Sequence, residues 1–394
     1  MLKVEPYYYS PLGVFLLKRS LLSPKLIGLP FFWHLRSEMF DPKVRLKFGI
    51  LLEAFCRGCG PLFHIILISV DSNKSLIQNF FNPLAIEQKF GDLEVGSCKI
   101  MHSKKKPLWL VWNNPDNLSI YHLRKYQIIY KHGDDLRQDM LTLQLLRVMD
   151  RIWKENGFDF CLSVYSCLST GNMTGLIEAV RNARTIMSIQ NESMKAAMQL
   201  DSSRLHRWLQ TQTQSDPALY ERAIHNFTYS CAGYSVATFV LGIRDRHNDN
   251  IMADEMGHLF HIDFGHFLDN RKKKFGINRE RVPFVLPEDF VVVICKGREK
   301  ALRDQDFKRF IDLCIDAYRV LRKNSNLIIT LLSMMLMAEL PELYAVQHLD
   351  HVRRTLAVDK SNKEAEDYFR TTLNEAYSSG WTTKVDWFGH WMNS

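Results

Sequence analysis

The densest run of reactive side chains is Gly242-Ile-Arg-Asp245-Arg246-His247-Asn248-Asp249-Asn250, followed by His261-Ile-Asp263-Phe264-Gly265. Between them, Ile251-Met-Ala253 and Leu259-Phe-His-Ile262 flank a turn ending at Gly257, the pattern of a short β-hairpin. A hairpin brings its two ends together, so the spacing predicts that Asn250 and Asp263 face one small volume. An amide oxygen and a carboxylate are hard donors. They suit Mg²⁺, which takes few protein ligands and completes its shell with water and substrate phosphates. Asp245 and His247, just upstream, are placed to orient or deprotonate an attacking hydroxyl. Singly, each of these residues reads as a polar group before a core strand. Together, at this spacing, they point to a metal–phosphate site.

The elements that must position them follow from periodicity. The chain has 394 residues, 46% hydrophobic and 24% charged, which is globular composition and long enough for two or three lobes. Residues 12 to 59 carry apolar residues at helical spacing, for example Leu46, Ile50, Leu51 and Phe55. Short β-rich runs follow at Lys99–Met101, Leu108–Trp112 and Tyr126–Tyr130. An amphipathic helix is expected from Asp135 to about Asn156, and another from Pro217, a favoured first-turn residue, to about Leu241. Four helices are expected to close the chain: Asp304–Lys323, Leu327–Leu340, Asn362–Tyr377 and Lys384–Met392. Strands first and helices later predict an α+β, bilobal architecture and argue against a doubly wound parallel sheet.

No apolar run reaches the roughly 18 residues of a membrane span, and the first residues lack a secretory signal pattern. Eight cysteines are thinly spread, and Cys56-Arg-Gly-Cys59 has no second pair, so free thiols in a reducing, cytoplasmic compartment are expected.

A loop of Asp and His followed by Asp-Phe-Gly is the two-part logic of kinase phosphoryl transfer. Here the loop reads Asp-Arg-His, in the inverted order of the phosphoinositide kinases and their large protein-kinase relatives. Lys131-His-Gly-Asp-Asp-Leu-Arg-Gln-Asp-Met140, Leu241–Met252 and Phe260-His-Ile-Asp-Phe-Gly-His-Phe267 closely resemble the catalytic subunit of class I phosphoinositide 3-kinases. The likeness runs from about Leu12 to the end and weakens between Gly60 and Asn79. It implies a helical-domain remnant at 1–60, a kinase N-lobe at 61–178 with 61–79 atypical, and a C-lobe at 179–394 with an activation loop at 263–289.

The resemblance also implies roles. Lys131 would hold the ATP phosphates, and Asp139 on the next helix could pair with it. Ser103 and Lys105 of the loop 101–109 would contact phosphate. Met101, Trp109, Tyr165, Met252 and Ile262 would line the adenine pocket, although apolar core packing accounts equally well for Trp109, Tyr165 and Met252. The linker Gly175–Val180 would bind the adenine edge through the backbone of Glu178 and Val180. His247 would act as base for the lipid hydroxyl or stabilise the transferring phosphoryl, with Asp245 orienting it. Asn250 and Asp263 would hold Mg²⁺.

After Asp263 the loop carries Lys272, Lys273 and Lys274, then Arg279 and Arg281, cations suited to an inositol head group already bearing two phosphates. By resemblance the acceptor is phosphatidylinositol 4,5-bisphosphate; a solvated basic loop is the plainer account. Near the C-terminus Trp387, Phe388 and Trp391 share a helical face suited to a membrane interface, or else to packing on the C-lobe. A regulatory subunit with SH2 modules and a small GTPase are expected to bind through regions outside these residues, and recruitment is expected to be to the plasma membrane. A related Ser/Thr protein kinase and an inactive truncated scaffold are the competing readings.

The formal net charge is +8. Lys99–Lys106 holds four lysines and no acid, and His266–Leu286 holds six basic residues against two acids, so these two segments carry the whole surplus. The charge therefore sits on the loop expected over ATP and the loop expected at the lipid head group. A diffuse coat for nucleic acid is not expected.

Overall fold

The computed structural model describes residues 2–5, 10–59, 81–103, 105–116, 124–191, 201–214, 216–268, 273–274, 277–278, 283–298, 304–338 and 340–391; for 4, 24–25, 59, 81, 86–87, 273–274, 277–278 and 379–391 only the backbone is described. Two units emerge, one from residues 1–143 and 165–180, the other from 144–164 and 181–394.

The first unit opens with α1 (Pro11–Leu22), α2 (Leu29–Glu38) and α3 (Arg45–Cys59). Ser10 caps α1 by accepting from the Gly13 N–H at 2.8 Å, with Pro11 in the first turn. Phe32, Leu35, Phe48 and Phe55 are fully buried between these helices, and Leu168 from the sheet joins their cluster. A short hairpin, β1 (Phe81–Asn82) with β2 (Ala85–Lys89), precedes a five-stranded antiparallel sheet. Its strands are β3 (Lys99–Ile100), β4 (Leu108–Asn113), β5 (Lys125–His132), β6 (Cys167–Gly171) and β7 (Thr174–Glu178), in the order β3-β4-β5-β7-β6. Alternation puts Leu110, Trp112, Tyr126 and Ile128 on one face, where Phe90 stacks on Trp112 at 4.6 Å. The opposite face carries Trp109, Ile129, Lys131 and Ile177 in cross-strand register. Helix α4 (Arg137–Glu155) follows β5, and its residues up to Leu143 belong to this unit.

In the second unit, β8 (Ala183–Thr185), α5 (Ile186–Gln190) and α6 (Arg204–Gln212) lead to α7 (Pro217–Leu241). Asp216 caps α7 by accepting from the N–H groups of Ala218 and Leu219 at 2.8 and 3.3 Å. From Ser230 to Leu241 every residue of α7 is buried, so this half of the helix is surrounded by protein on all sides. The hairpin β9 (Ile251–Asp254) and β10 (Leu259–His261) pairs with β8 in a three-stranded sheet ordered β10-β9-β8. The two-residue strands β11 (Lys273–Lys274) and β12 (Ile277–Asn278) pair antiparallel. Helices α8 (Glu288–Ile294), α9 (Gln305–Lys323), α10 (Ser325–Met335), α11 (Leu349–Thr355) and α12 (Asn362–Trp391) complete the unit. On α4, Trp153 is fully buried in this unit and its indole N–H donates to the Ala317 carbonyl of α9 at 2.9 Å.

The architecture is the expected α+β one, with α7 and the hairpin over 251–262 where periodicity puts them. Two local readings change. Residues 362–391 form one helix where two were expected; Gly380, between the two expected segments, costs only about 1 kcal/mol and does not break it. Of the expected linker Gly175–Val180, residues Gly175 to Glu178 form all but the first residue of strand β7. No helix among the described residues is long and apolar enough to cross a membrane, and the described cysteines are free. The atypical 61–79 segment lies outside the described residues.

Candidate active site

The expected catalytic and metal-binding residues Asp245, His247, Asn250 and Asp263 lie in the second unit. Helix α7 stops at Gly242, whose φ of +59° suits a glycine cap, and the Ile243 N–H returns to the Thr238 carbonyl at 2.9 Å. The chain then runs as the loop 243–250 into β9. Across it, the segment after Asp263 is laced back to this loop: Arg244 N–H donates to the His266 carbonyl at 3.0 Å and Leu268 N–H to the Leu241 carbonyl at 2.8 Å.

Arg246 is the centre of the arrangement. Only 9% exposed, it donates to the carbonyls of Arg244 (3.0 Å), Ile262 (2.7 Å) and Asp263, and lies 5.7 Å from the Phe264 ring centroid. One guanidinium fork thus ties the Asp-Arg-His loop to the Asp-Phe-Gly segment. Sequence reasoning quoted Arg246 but gave it no role, since no spacing rule marks an arginine whose targets are backbone carbonyls.

The hairpin does what its pattern predicts. His261 pairs with Ile251, and the ladder continues as the Ile262 N–H donates to the Asn250 carbonyl at 2.9 Å. Asn250 and Asp263 therefore leave the same end of the hairpin. The Asn250 side-chain oxygen accepts from the His247 N–H at 2.9 Å, and its amide nitrogen donates to the Asp245 carbonyl. His247 has the Asp249 N–H 3.3 Å from Nδ1 and the Asn250 amide nitrogen 3.2 Å from Nε2. A neutral imidazole has one acceptor nitrogen, so the ring accepts one of these bonds at a time. Asp245 and Asp263 both adopt left-handed φ of 60°. Beneath the site, Tyr234 of α7 stacks on His261 at 5.0 Å, and burial, reinforced by the nearby Arg246 charge, holds the His261 imidazole well below its ordinary pKa.

The donor set fits a divalent ion that relies on phosphates and water. Among the described residues no group of three or more His, Cys, Asp or Glu could hold a metal by itself. Asp263 presents an exposed carboxylate and Asn250 an amide oxygen with one lone pair still available. Met252, opposite Phe260 in the hairpin, and Ile262 are half-buried in this unit.

The first unit holds the expected phosphate groups. Residues 101–107 form a tight loop: Met101 N–H donates to the Pro107 carbonyl at 2.8 Å, and Lys106 N–H to Ser103 at 3.0 Å. Ser103 and Lys105 are exposed on it, and Lys105 Nζ donates to the Gly133 carbonyl at 2.8 Å. Lys131 Nζ is 3.3 Å from Asp134 Oδ2, while Lys105 Nζ is 3.8 Å from Oδ1, so one carboxylate gathers both lysines. Gly133, at φ +83°, and Asp134 are held by the Met173 carbonyl at 2.7 and 3.1 Å. Trp109 and Lys131 share a sheet face. Beside Lys131 in register, Gly175 admits no side chain, since a Cβ would stand 2.5 Å from the Leu168 carbonyl oxygen and 2.6 Å from Leu136.

Asp139 lies buried in the first turn of α4, and Tyr165 is buried ahead of β6. Asp135 braces the start of α4 through Arg137, with Nε at 2.9 Å and an η nitrogen at 2.6 Å; burial opposes its charge, but the guanidinium prevails and keeps the carboxyl low. At the expected hinge, the Glu178 N–H donates to the Ser166 carbonyl and its carboxylate accepts the Ser166 N–H, both at 2.8 Å. Val180 follows half-buried.

Against known proteins, residues 125–344 match the family described as Phosphatidylinositol 3- and 4-kinase, more than half of this chain. The chain belongs to that family. Residues 1–65 match the phosphoinositide 3-kinase family accessory (PIK) domain, which accounts for α1 to α3 ahead of the kinase sheet. Phosphatidylinositol 3-kinase 2 of Dictyostelium discoideum is 38% identical over 422 residues, covering 100% of this chain and 22% of that protein. Phosphatidylinositol 3-kinase 1 of the same organism is 38% identical over 419 residues, 99% of this chain and 26% of that protein. The chain thus spans about a quarter of the length of these curated relatives. Membership of a kinase family implies use of ATP and a divalent metal.

Of the remaining expected residues, Lys272, Arg279 and Arg281 lie outside the described residues, and Lys273 and Lys274 are described as backbone in β11. Trp387, Phe388 and Trp391 fall on the last turns of α12, where the backbone alone is described.

Proposed function

We propose that this chain transfers the γ-phosphate of ATP to the 3-hydroxyl of phosphatidylinositol 4,5-bisphosphate at a membrane surface, as a class I phosphoinositide 3-kinase does. The observation that carries the reading is the arginine-tied pair of segments that puts Asn250 and Asp263 at one hairpin end and His247 beside Asn250. Asn250 and Asp263 would hold Mg²⁺, which when bound neutralises developing charge on the phosphates. His247, held by Asn250 and the Asp249 N–H, takes the proton of the attacking hydroxyl or stabilises the transferring phosphoryl; Asp245 orients this loop. Lys131 and Lys105 exchange the Asp134 carboxylate for nucleotide phosphate oxygens. The backbone of Glu178 and Val180 meets the adenine edge.

The bisphosphate choice rests on Lys272, Lys273, Lys274, Arg279 and Arg281, each phosphate of the head group requiring its own cation. Trp387, Phe388 and Trp391 would meet the bilayer, and the chain would act in the cytoplasm on recruitment to the plasma membrane. An SH2-containing regulatory subunit and a small GTPase would engage the protein through segments beyond these residues.

The test is Mg·ATP-dependent labelling of vesicles carrying phosphatidylinositol, its 4-phosphate or its 4,5-bisphosphate, with peptide acceptors in parallel. Labelling of the bisphosphate supports the reading. Labelling of peptides alone would mark a Ser/Thr protein kinase, and no labelling an inactive scaffold. Changing Lys272, Lys273 and Lys274 together to alanine with bisphosphate labelling intact would refute the head-group assignment.

A further inference from the structure

We infer that Glu342 is a positioning residue that sets where the lipid-facing loop begins, and that it acts on phosphorylation of the lipid without acting on nucleotide binding. The inference rests on the lipid-kinase reading above. Glu342 belongs to neither catalytic motif. It stands at the corner of a turn closed by the Leu343 N–H on the Leu340 carbonyl at 3.2 Å, and both leucines are buried, at 0% and 2% exposure. This turn is anchored by its flanks, so the glutamate between them is held in place before it makes any contact.

Both carboxylate oxygens are then used on the segment after Asp263. Oε2 accepts the Phe267 N–H at 2.6 Å, and Oε1 lies 2.6 Å from His266 Nδ1, with the Glu342 side chain only 14% exposed. The other ties to 263–268 described above come from residues 241–246, through Arg244, Leu241 and Arg246. Glu342 grips the same short segment from a separate part of the chain.

The direction of the chain depends on that grip. Phe267 is fully buried, and Leu268, 4% exposed, turns left-handed at φ 57°. A residue in this conformation redirects the backbone sharply, so a small shift at Phe267 is carried into the loop beyond. Lys272 to Lys274 follow within a few residues. Asp263 keeps its own tie, to Arg246, when Glu342 changes, and the nucleotide lysines belong to the first unit. Loss of Glu342 is therefore expected on the lipid side of the reaction.

The experiment uses the whole chain with phosphatidylserine vesicles containing phosphatidylinositol 4,5-bisphosphate, with ATP hydrolysis in the absence of lipid as the second readout. Glu342→Ala is expected to lower kcat/KM for the lipid about tenfold or more, the scale of a lost charge-assisted hydrogen bond, with the KM for ATP and lipid-free hydrolysis within about twofold. Glu342→Gln keeps an acceptor for the Phe267 N–H and an amide for His266, and should restore most of the lipid rate. Glu342→Asp keeps the charge but falls one methylene short, and should behave like alanine; it decides the matter if the alanine variant does not fold. Lipid constants unchanged in folded Glu342→Ala or Glu342→Asp would overturn the inference. So would a parallel loss of ATP affinity that glutamine does not rescue. A parent chain inactive on vesicles would refute the lipid-kinase reading, and this role with it.

Discussion

Removing the guanidinium of Arg246 should cripple this unit in two measurable ways. The side chain is 9% exposed and serves three carbonyls, those of Arg244, Ile262 and Asp263. A hydrogen bond from a charged donor contributes roughly 1.5–3 kcal/mol, but three on one group are not additive. A buried acceptor left without a donor costs about 1–3 kcal/mol, so three of them, taken together at less than their sum, give an expected loss of roughly 3–5 kcal/mol for Arg246→Ala. For a unit of this size a melting temperature moves by roughly 2–4 °C per kcal/mol, which gives a fall of roughly 6–20 °C. Asp263 and the loop bearing His247 lose their common tie, and a displacement of about 1 Å is enough to cost about a hundredfold in kcat. Arg246→Lys retains charge without the fork and should fall between the two. Thermal melting and initial rates of lipid phosphorylation, taken well below the variant's transition, provide the assay. Melting within about 2 °C of the parent and kcat within about twofold would refute the idea that this arginine joins the two motifs.

Three further outcomes are expected. Asp134→Asn frees Lys131 and Lys105 from their shared carboxylate and should lower the KM for ATP by up to about fivefold, the ceiling for a partly exposed ion pair; a rise in KM would show that Asp134 positions the lysines instead of competing with phosphate. Gly175→Ala forces a Cβ against the Leu168 carbonyl beside Lys131, so a loss of about 1–3 kcal/mol in stability and weaker ATP binding should appear together in melts with and without nucleotide; a neutral result would place the strands differently. Burial, helped by the Arg207 charge, lowers the pKa of His206, and burial with Arg246 lowers that of His261, so as pH falls below about 6.5 the unfolded chain binds protons that the folded chain refuses. Stability from these groups is full above that pH and declines below it by up to about 1.4 kcal/mol per pH unit for each, so melts between about pH 7.5 and 5.5 should slope downward and His206→Asn should flatten them. A rising slope would contradict the assignment.

The hairpin and α7 were legible because their signals are local. Alternation around Gly257, and Asp216-Pro217 before a long apolar run closed by Gly242, specify the elements without reference to the rest of the chain. The same locality made Asn250, Asp263 and His247 visible, since they flank one turn. Arg246 and Glu342 were missed for the opposite reason. Arg246 serves main-chain carbonyls and Glu342 a main-chain N–H and a histidine 76 residues away, so only the folded path shows why an arginine or a glutamate is needed there. The pairing of Lys105 with Gly133 and Asp134 likewise depends on how β3 and β4 bring the loop between them to the end of β5. Reading two helices across 362–391 followed the apolar periodicity, whereas the backbone continues as one helix through residues 378–383.

Both aspartates of the proposed site, Asp245 and Asp263, occupy the left-handed region, where aspartate and asparagine are among the few side chains accommodated without large cost. Each position is thus selected twice over, by charge and by backbone shape. A branched or bulky replacement there would report a folding defect as though it were a catalytic one. Asparagine separates the two: it preserves the turn and deletes the charge, so Asp245→Asn and Asp263→Asn are the conformationally silent way to make inactive protein for trapping the substrate-bound state.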